Sequence, residues 1–212
     1  MTNPDLTLIA VLLDRSGSMH SIKSDTEGGF DAFIAEQRAQ PGTAEVTLAQ
    51  FDREYERVYT TVPISQVPPL ELRPRGSTAL LDGIGRFTTE IGEELAARPE
   101  AERPGDVIVV VVTDGHENSS TEWTLGSVKD AITRQEQVYG WDYVFLGANM
   151  DAVSVGRHMG FAADKSITYD TKGEYVEAAY SVTSDYVSRK RRAVVGAPVQ
   201  GFTDAQRSVT RE

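Results

Sequence analysis

The chain has 212 residues, 40% of them hydrophobic and 25% charged, which suits one or two ordinary globular domains and excludes a largely disordered or fibrous chain. A single domain of this size buries ~70% of its unfolded surface, so a full core needs no covalent staples. The lack of cysteine excludes disulfides, zinc–thiolate sites, iron–sulfur clusters and cysteine nucleophiles, and 32 acidic against 21 basic residues (net charge −11) oppose binding to a phosphate backbone.

In chain order, the N-terminus lacks the positive region of a secretion signal. Residues 6–13 then form a continuous aliphatic run ending at Asp14. A run without polar alternation reads as a strand covered on both faces. Phe30, Phe33 and Ile34 mark a following helix, weakened by Gly28 and Gly29. Residues 45–51 and 55–62 alternate around a turn at Asp52 and Arg53 and read as an antiparallel hairpin at one sheet edge, closed by Pro63, Pro68 and Pro69. Leu80, Ile84, Phe87, Ile91 and Leu95 make the strongest helical stripe. Residues 107–113 repeat the pattern of the first run and end at Asp114. Leu125, Val128 and Ile132 form another stripe, residues 141–146 a third buried strand, residues 151–159 a short helix, and residues 166–169 a weak strand. Tyr175, Ala179, Val182 and Tyr186 mark a last helix, whose end carries Arg189, Lys190, Arg191 and Arg192, well placed against the helix dipole. Gly196, Pro198, Gly201 and missing periodicity make 193–212 a flexible tail after a domain spanning 1–192. No apolar run reaches the ~20 residues of a membrane-spanning helix, and the default expectation is a soluble, cytoplasmic protein.

Strands alternating with helices predict an α/β fold: a doubly wound, mostly parallel sheet with one antiparallel edge strand and helices on both faces. In such a sheet ligands bind beyond the carboxyl ends of the strands. Asp14 and Asp114 both fall there. Asp14 opens the segment Asp14-Arg15-Ser16-Gly17-Ser18, with oxygen-bearing side chains at alternate positions. A glycine loop, Arg75-Gly76-Ser77-Thr78, precedes the strongest helix and brings Thr78 to the same rim. Any one of these segments alone is most often a turn or a helix cap; the weight lies in their combination. Asp14, Ser16, Ser18, Thr78 and Asp114 form a set of hard oxygen donors suited to Mg²⁺ or Mn²⁺. Two carboxylates balance one divalent charge while hydroxyls donate weakly. An ion held so stays electron-poor and favours an anionic oxygen from outside.

These segments resemble the von Willebrand factor type A domain with its metal-ion-dependent adhesion site. The likeness rests on the stretch from Leu12 through Asp14, Ser16 and Ser18 to Met19, on Gly76-Ser77-Thr78-Ala79-Leu80, and on Val112-Thr113-Asp114-Gly115, and it extends over residues 5–190. It implies direct ligation by Ser16 and Ser18, ligation by Thr78 directly or through water depending on conformational state, and Asp14 and Asp114 acting mainly through water or changing shell with state. Mg²⁺ is the implied ion, with Mn²⁺ or Ca²⁺ as alternatives. The stretch 114–120 with 145–149 is similar to small bacterial and phage-encoded members, whose partners include ATPases of the AAA+ class.

The expected function is a binding module in which the cation coordinates an Asp or Glu of a partner protein, with no role for nucleic acid or membrane. The loops 16–23, 72–77 and 115–123 would set specificity, and Arg15, His116 and Glu117 are candidate partner contacts. His20 also lies beside the site; a solvated loop residue is the plainer reading of each histidine. Trp123 and Trp141 read as packing residues. The alternatives are a metal-dependent phosphatase or nuclease, and a phage or prophage assembly component using the same site. The enzyme reading lacks a paired nucleophile and base, so the chain is expected not to be an enzyme.

Overall fold

A computed structural model describes residues 2–212. Six strands, β1 (Asn3–Asp14), β2 (Thr43–Phe51), β3 (Tyr55–Pro63), β4 (Pro104–Thr113), β5 (Asp142–Ala148) and β6 (Ser166–Tyr169), form one sheet in the order β3-β2-β1-β4-β5-β6. All neighbours are parallel except β3, which runs antiparallel to β2 at the edge. The helices are α1 (Lys23–Arg38), α2 (Leu80–Ala97), α3 (Leu125–Tyr139), α4 (Ala152–Met159), α5 (Gly173–Arg192) and α6 (Asp204–Ser208). The doubly wound α/β architecture expected from the sequence is therefore present. Among the described residues no helix is long and apolar enough to cross a membrane.

The unbroken aliphatic runs make sense in this sheet. Ile9, Val11 and Leu13 of β1 point into one core layer, while Leu8, Ala10 and Leu12 point into the other. β4 divides in the same way, with Ile108, Val110 and Val112 against Val107, Val109 and Val111. The first layer is closed by α1 and α5, the second by α2, α3 and α4. The α2 stripe is buried along its length, whereas Leu125 on the first turn of α3 lies exposed. Gly29 has a packing reason to interrupt α1: a β-carbon there would sit 2.5 Å from the Tyr180 ring of α5, so glycine permits the close α1–α5 approach.

The C-terminal twenty residues, expected as a tail, are mostly exposed but anchored at Phe202 and Thr210. Phe202 is buried against the Tyr186 ring, with centroids 5.5 Å apart, and its amide donates to the Asp164 carbonyl at 2.7 Å. Thr203 caps the short α6. Beyond it the Thr210 hydroxyl donates to the Thr168 carbonyl at 2.7 Å, and the Thr210 carbonyl accepts from the Asp170 amide at 2.9 Å. The segment thus lies alongside β6. The basic run is likewise engaged in specific contacts besides its place at the helix end. Lys190 is buried and pairs with Asp106 at 3.0 Å, and Arg191 donates to the Gln37 carbonyl at 2.6 Å, tying α5 to β4 and α1.

Candidate metal centre

From β1 the chain winds to β2 on one side, and β4 pairs on the other. The strand order reverses here, and in open α/β sheets this point at the carboxyl end of the strands is where ligands bind. Asp14 is the last residue of β1, and Asp114 follows the last residue of β4. Their placement follows from the two strands' parallel register.

Asp14 is fully buried. Its Oδ1 accepts the Ser16 amide at 2.6 Å and its Oδ2 accepts the Thr113 hydroxyl at 2.6 Å. Ser16 Oγ lies 3.1 Å from Ser18 Oγ, which donates to Asp114 Oδ1 at 2.7 Å. The third segment is stitched to the first by two backbone bonds. The Gly17 amide donates to the Gly76 carbonyl at 3.1 Å, and the Arg75 amide to the Arg15 carbonyl at 2.8 Å. Gly76 takes a left-handed φ of 71° to make that turn. Thr78 is thereby buried beside Gly115. A β-carbon on Gly115 would stand 3.3 Å from Thr78 Oγ1 and 3.7 Å from Ser18 Oγ, so the glycine keeps the space between these hydroxyls open.

Burial pushes the Asp14 carboxyl up to about 6; the Thr113 and Ser16 hydrogen bonds oppose the rise and the nearby Asp114 charge adds to it. Burial raises Asp114 as well, against the bond from Ser18. Among the described residues no lysine, arginine or histidine forms an ion pair with either carboxylate. Two buried carboxylates lacking a counter-charge, with hydroxyls converging on an open space, fit a small divalent cation with a preference for oxygen. Among the described residues no group of three or more Asp, Glu or His gathers to hold a metal, so the hydroxyls are integral to this donor set.

Two of the expected partner contacts are directed elsewhere. Arg15 is 5% exposed, and its guanidinium turns beneath the loop to Asp52 at 3.1 Å and to Glu56. The Glu117 carboxylate is saturated: it accepts the Leu81 amide at 2.8 Å, the Ser119 and Ser120 amides at 2.8 and 2.7 Å, and the Ser120 hydroxyl at 2.6 Å. A carboxylate at the α2 N-terminus completes an amide the helix leaves open, which engages Glu117, while Asp52 and Glu56 engage Arg15. His116 and His20 are exposed. Among the described residues neither hydrogen-bonds to a site hydroxyl, whose partners are each other and the carboxylates. Trp141 is buried, and half-buried Trp123 packs on the core layer under α2.

Three residues support the site in roles that the sequence did not assign to them. Thr113 orients Asp14. Asp52, directly after β2, is buried and accepts Arg15, Arg75 and the Glu54 amide. Burial alone would raise the Asp52 carboxyl, but the Glu54 amide and the Arg75 and Arg15 guanidiniums prevail and hold it below the usual range. Asn118 clamps Thr78: its backbone N–H donates to the Thr78 carbonyl at 3.0 Å and its side-chain Oδ1 accepts the Thr78 amide at 2.9 Å. The position of Asp52 at a strand's carboxyl end, shared with Asp14 and Asp114, was a signal for it; nothing local marks Asn118.

No protein-family model and no curated protein matches the sequence. Solved structures do share its fold. A von Willebrand factor type A structure from Catenulispora acidiphila has a TM-score of 0.57 at 16% identity, covering 87% of this chain and 43% of that one. Proximal thread matrix protein 1 from the mussel byssus, with a zinc-occupied MIDAS motif, scores 0.58 at 14% identity, covering 86% and 46%. The pilus adhesin SpaC from Lactobacillus rhamnosus GG in its open conformation scores 0.59 at 14% identity, covering 88% and 30%. The fold is that of von Willebrand factor type A domains, and the chain spans less than half the length of each of these proteins.

Proposed function

We propose that this chain is a metal-dependent protein-interaction module. Asp14, Ser16, Ser18, Thr78 and Asp114 hold one divalent cation between the β1 and β4 loops. When bound, the cation supplies positive charge and an open coordination position for an Asp or Glu carboxylate of a partner protein. The observation that carries this reading is the pair of buried, uncompensated carboxylates facing three convergent hydroxyls.

The chain's residues divide the work. Ser16 and Ser18 present adjacent hydroxyls 3.1 Å apart and would hold the ion as neutral oxygen donors, the donor type suited to Mg²⁺ or Mn²⁺. Asp14 and Asp114 hold their charge behind these hydroxyls, through hydrogen bonds to the Ser16 amide and Ser18 hydroxyl. Exposed His116, His20 and the loops around them form the surface a partner meets. The zinc-occupied site in the mussel protein supports a divalent cation at this place in the fold. The partner, whether an AAA+ ATPase or an assembly protein, is a cytoplasmic protein offering an acidic side chain.

The test is capture from source lysate on immobilised protein, in Mg²⁺ and in EDTA, read by mass spectrometry. A partner retained in Mg²⁺, released by EDTA and lost with Ser16→Ala is expected. Capture indifferent to both would place binding on another surface and overturn the proposal.

A further inference from the structure

The loop after β4 does more than deliver Asp114. Four residues beyond it, Asn118 grips both polar groups of the Thr78 peptide, at 2.9 and 3.0 Å. Between them Glu117 reaches the Leu81 amide at 2.8 Å while bracing its own loop through the Ser119 and Ser120 amides. Ser120 adds a bond from the Asp82 amide to its hydroxyl at 3.0 Å. The stretch from Asp114 to Ser120 and the start of α2 are thus joined at three successive points. The Thr78 hydroxyl faces Gly115 across this junction. Thr78 and Asp114 lie 36 positions apart in the sequence and belong to different elements, yet they are braced as one unit.

We infer that Asn118 and Glu117 are positioning residues of the metal centre, holding Thr78 and Asp114 at the one spacing at which both serve the same cation. The inference rests on the metal-site reading above. Their side chains do not face the cation. They act because a donor fixed by its own hydrogen bonds loses little freedom on binding, and loss of such support costs 10- to 100-fold in metal affinity. Asp82 offers an internal comparison. Its carboxylate caps the far end of the same loop, accepting the Thr121, Glu122 and Trp123 amides at 2.8, 2.9 and 2.7 Å, and among the described residues it accepts no hydrogen bond from Thr78 or residues 114–118.

The experiment measures Mn²⁺ affinity by calorimetry and apo melting in EDTA on the full chain. Asn118→Ala and Glu117→Ala should weaken Mn²⁺ at least tenfold. Asn118→Asp, which keeps the acceptor for the Thr78 amide, should return affinity to within threefold of the parent. Asp82→Asn should lower the melting temperature yet leave affinity unchanged, which separates positioning from loop stability. If Asn118→Ala does not fold, Asn118→Ser, too short to reach the Thr78 amide, gives the same comparison. Parent-like affinity in the Asn118 and Glu117 variants, beside a parent that binds Mn²⁺, would overturn the positioning role alone. A parent that binds no Mn²⁺ would overturn the metal site and this inference with it.

Discussion

Replacing Asp14 by asparagine should stabilise the metal-free protein. The Asp14 carboxyl is raised from 3.8 to about 6, chiefly by burial. A carboxyl whose folded value lies above its unfolded value favours the folded state fully only below pH 3.8. That contribution is lost as pH rises through 6, because the folded state then holds a charge it accommodates poorly. The shift corresponds to about 3 kcal/mol at pH 8, of which about 1.5 kcal/mol is already lost at pH 5. Asparagine removes the charge and keeps an acceptor for the Ser16 amide. Its amide group meets Thr113 Oγ1, whose own proton can turn to the Gly115 carbonyl 3.1 Å away. Allowing about 1 kcal/mol for the weaker bonds, the net gain is about 2 kcal/mol, or roughly 4–8 °C in Tm for a chain of this length. Melting in EDTA at pH 8 and pH 5 reads it: Asp14→Asn should melt higher at pH 8, and the gap should shrink at pH 5. Saturating Mg²⁺ should close or reverse the gap, since only the parent gains from the ion. An asparagine variant that melts lower in EDTA at pH 8, or a gap indifferent to pH, would refute an uncompensated charge at this position.

Other outcomes follow from the same geometry. Mg²⁺ or Mn²⁺ at a hundred times its Kd should stabilise the parent by about 2.7 kcal/mol through mass action, and a melting curve unmoved by millimolar metal would count against the site. Asp52→Ala leaves the buried Arg15 with Glu56 as its remaining ion-pair partner; urea unfolding should show a loss of about 1.5–3 kcal/mol. Phe202→Ala should cost about 3 kcal/mol in the same assay, because the ring is buried against Tyr186, whereas an unpacked tail would give almost no change.

Much of this protein was legible in one dimension because the signals are local. Unbroken aliphatic runs identify strands covered on both faces, and the fourfold stepping from Leu80 to Leu95 identifies a helix, since both periods follow from backbone geometry. The turn from strand to loop marks Asp14 and Asp114, so the carboxylates of the site could be read before any folding. Other features are products of distance. Whether a basic run is solvated or buried depends on what lies opposite, and Lys190 meets Asp106 from 84 positions away. A segment without periodicity can still dock by backbone hydrogen bonds, as Thr210 does on β6, because such bonds leave no trace in side-chain pattern.

The same division runs through the site. Composition and order alone pointed to a twice-wound sheet and to five oxygen-bearing side chains as a candidate site at its rim, because each is written in residue type and in position relative to a strand end. Folding in three dimensions decided which charged neighbours face the site. Arg15 and Glu117 flank the donors in sequence, but a backbone that turns at every residue sends their side chains to Asp52 and to the α2 amides. Asn118, unremarkable in sequence, became the clamp on Thr78 because a helix that begins 38 residues earlier ends up beside its loop.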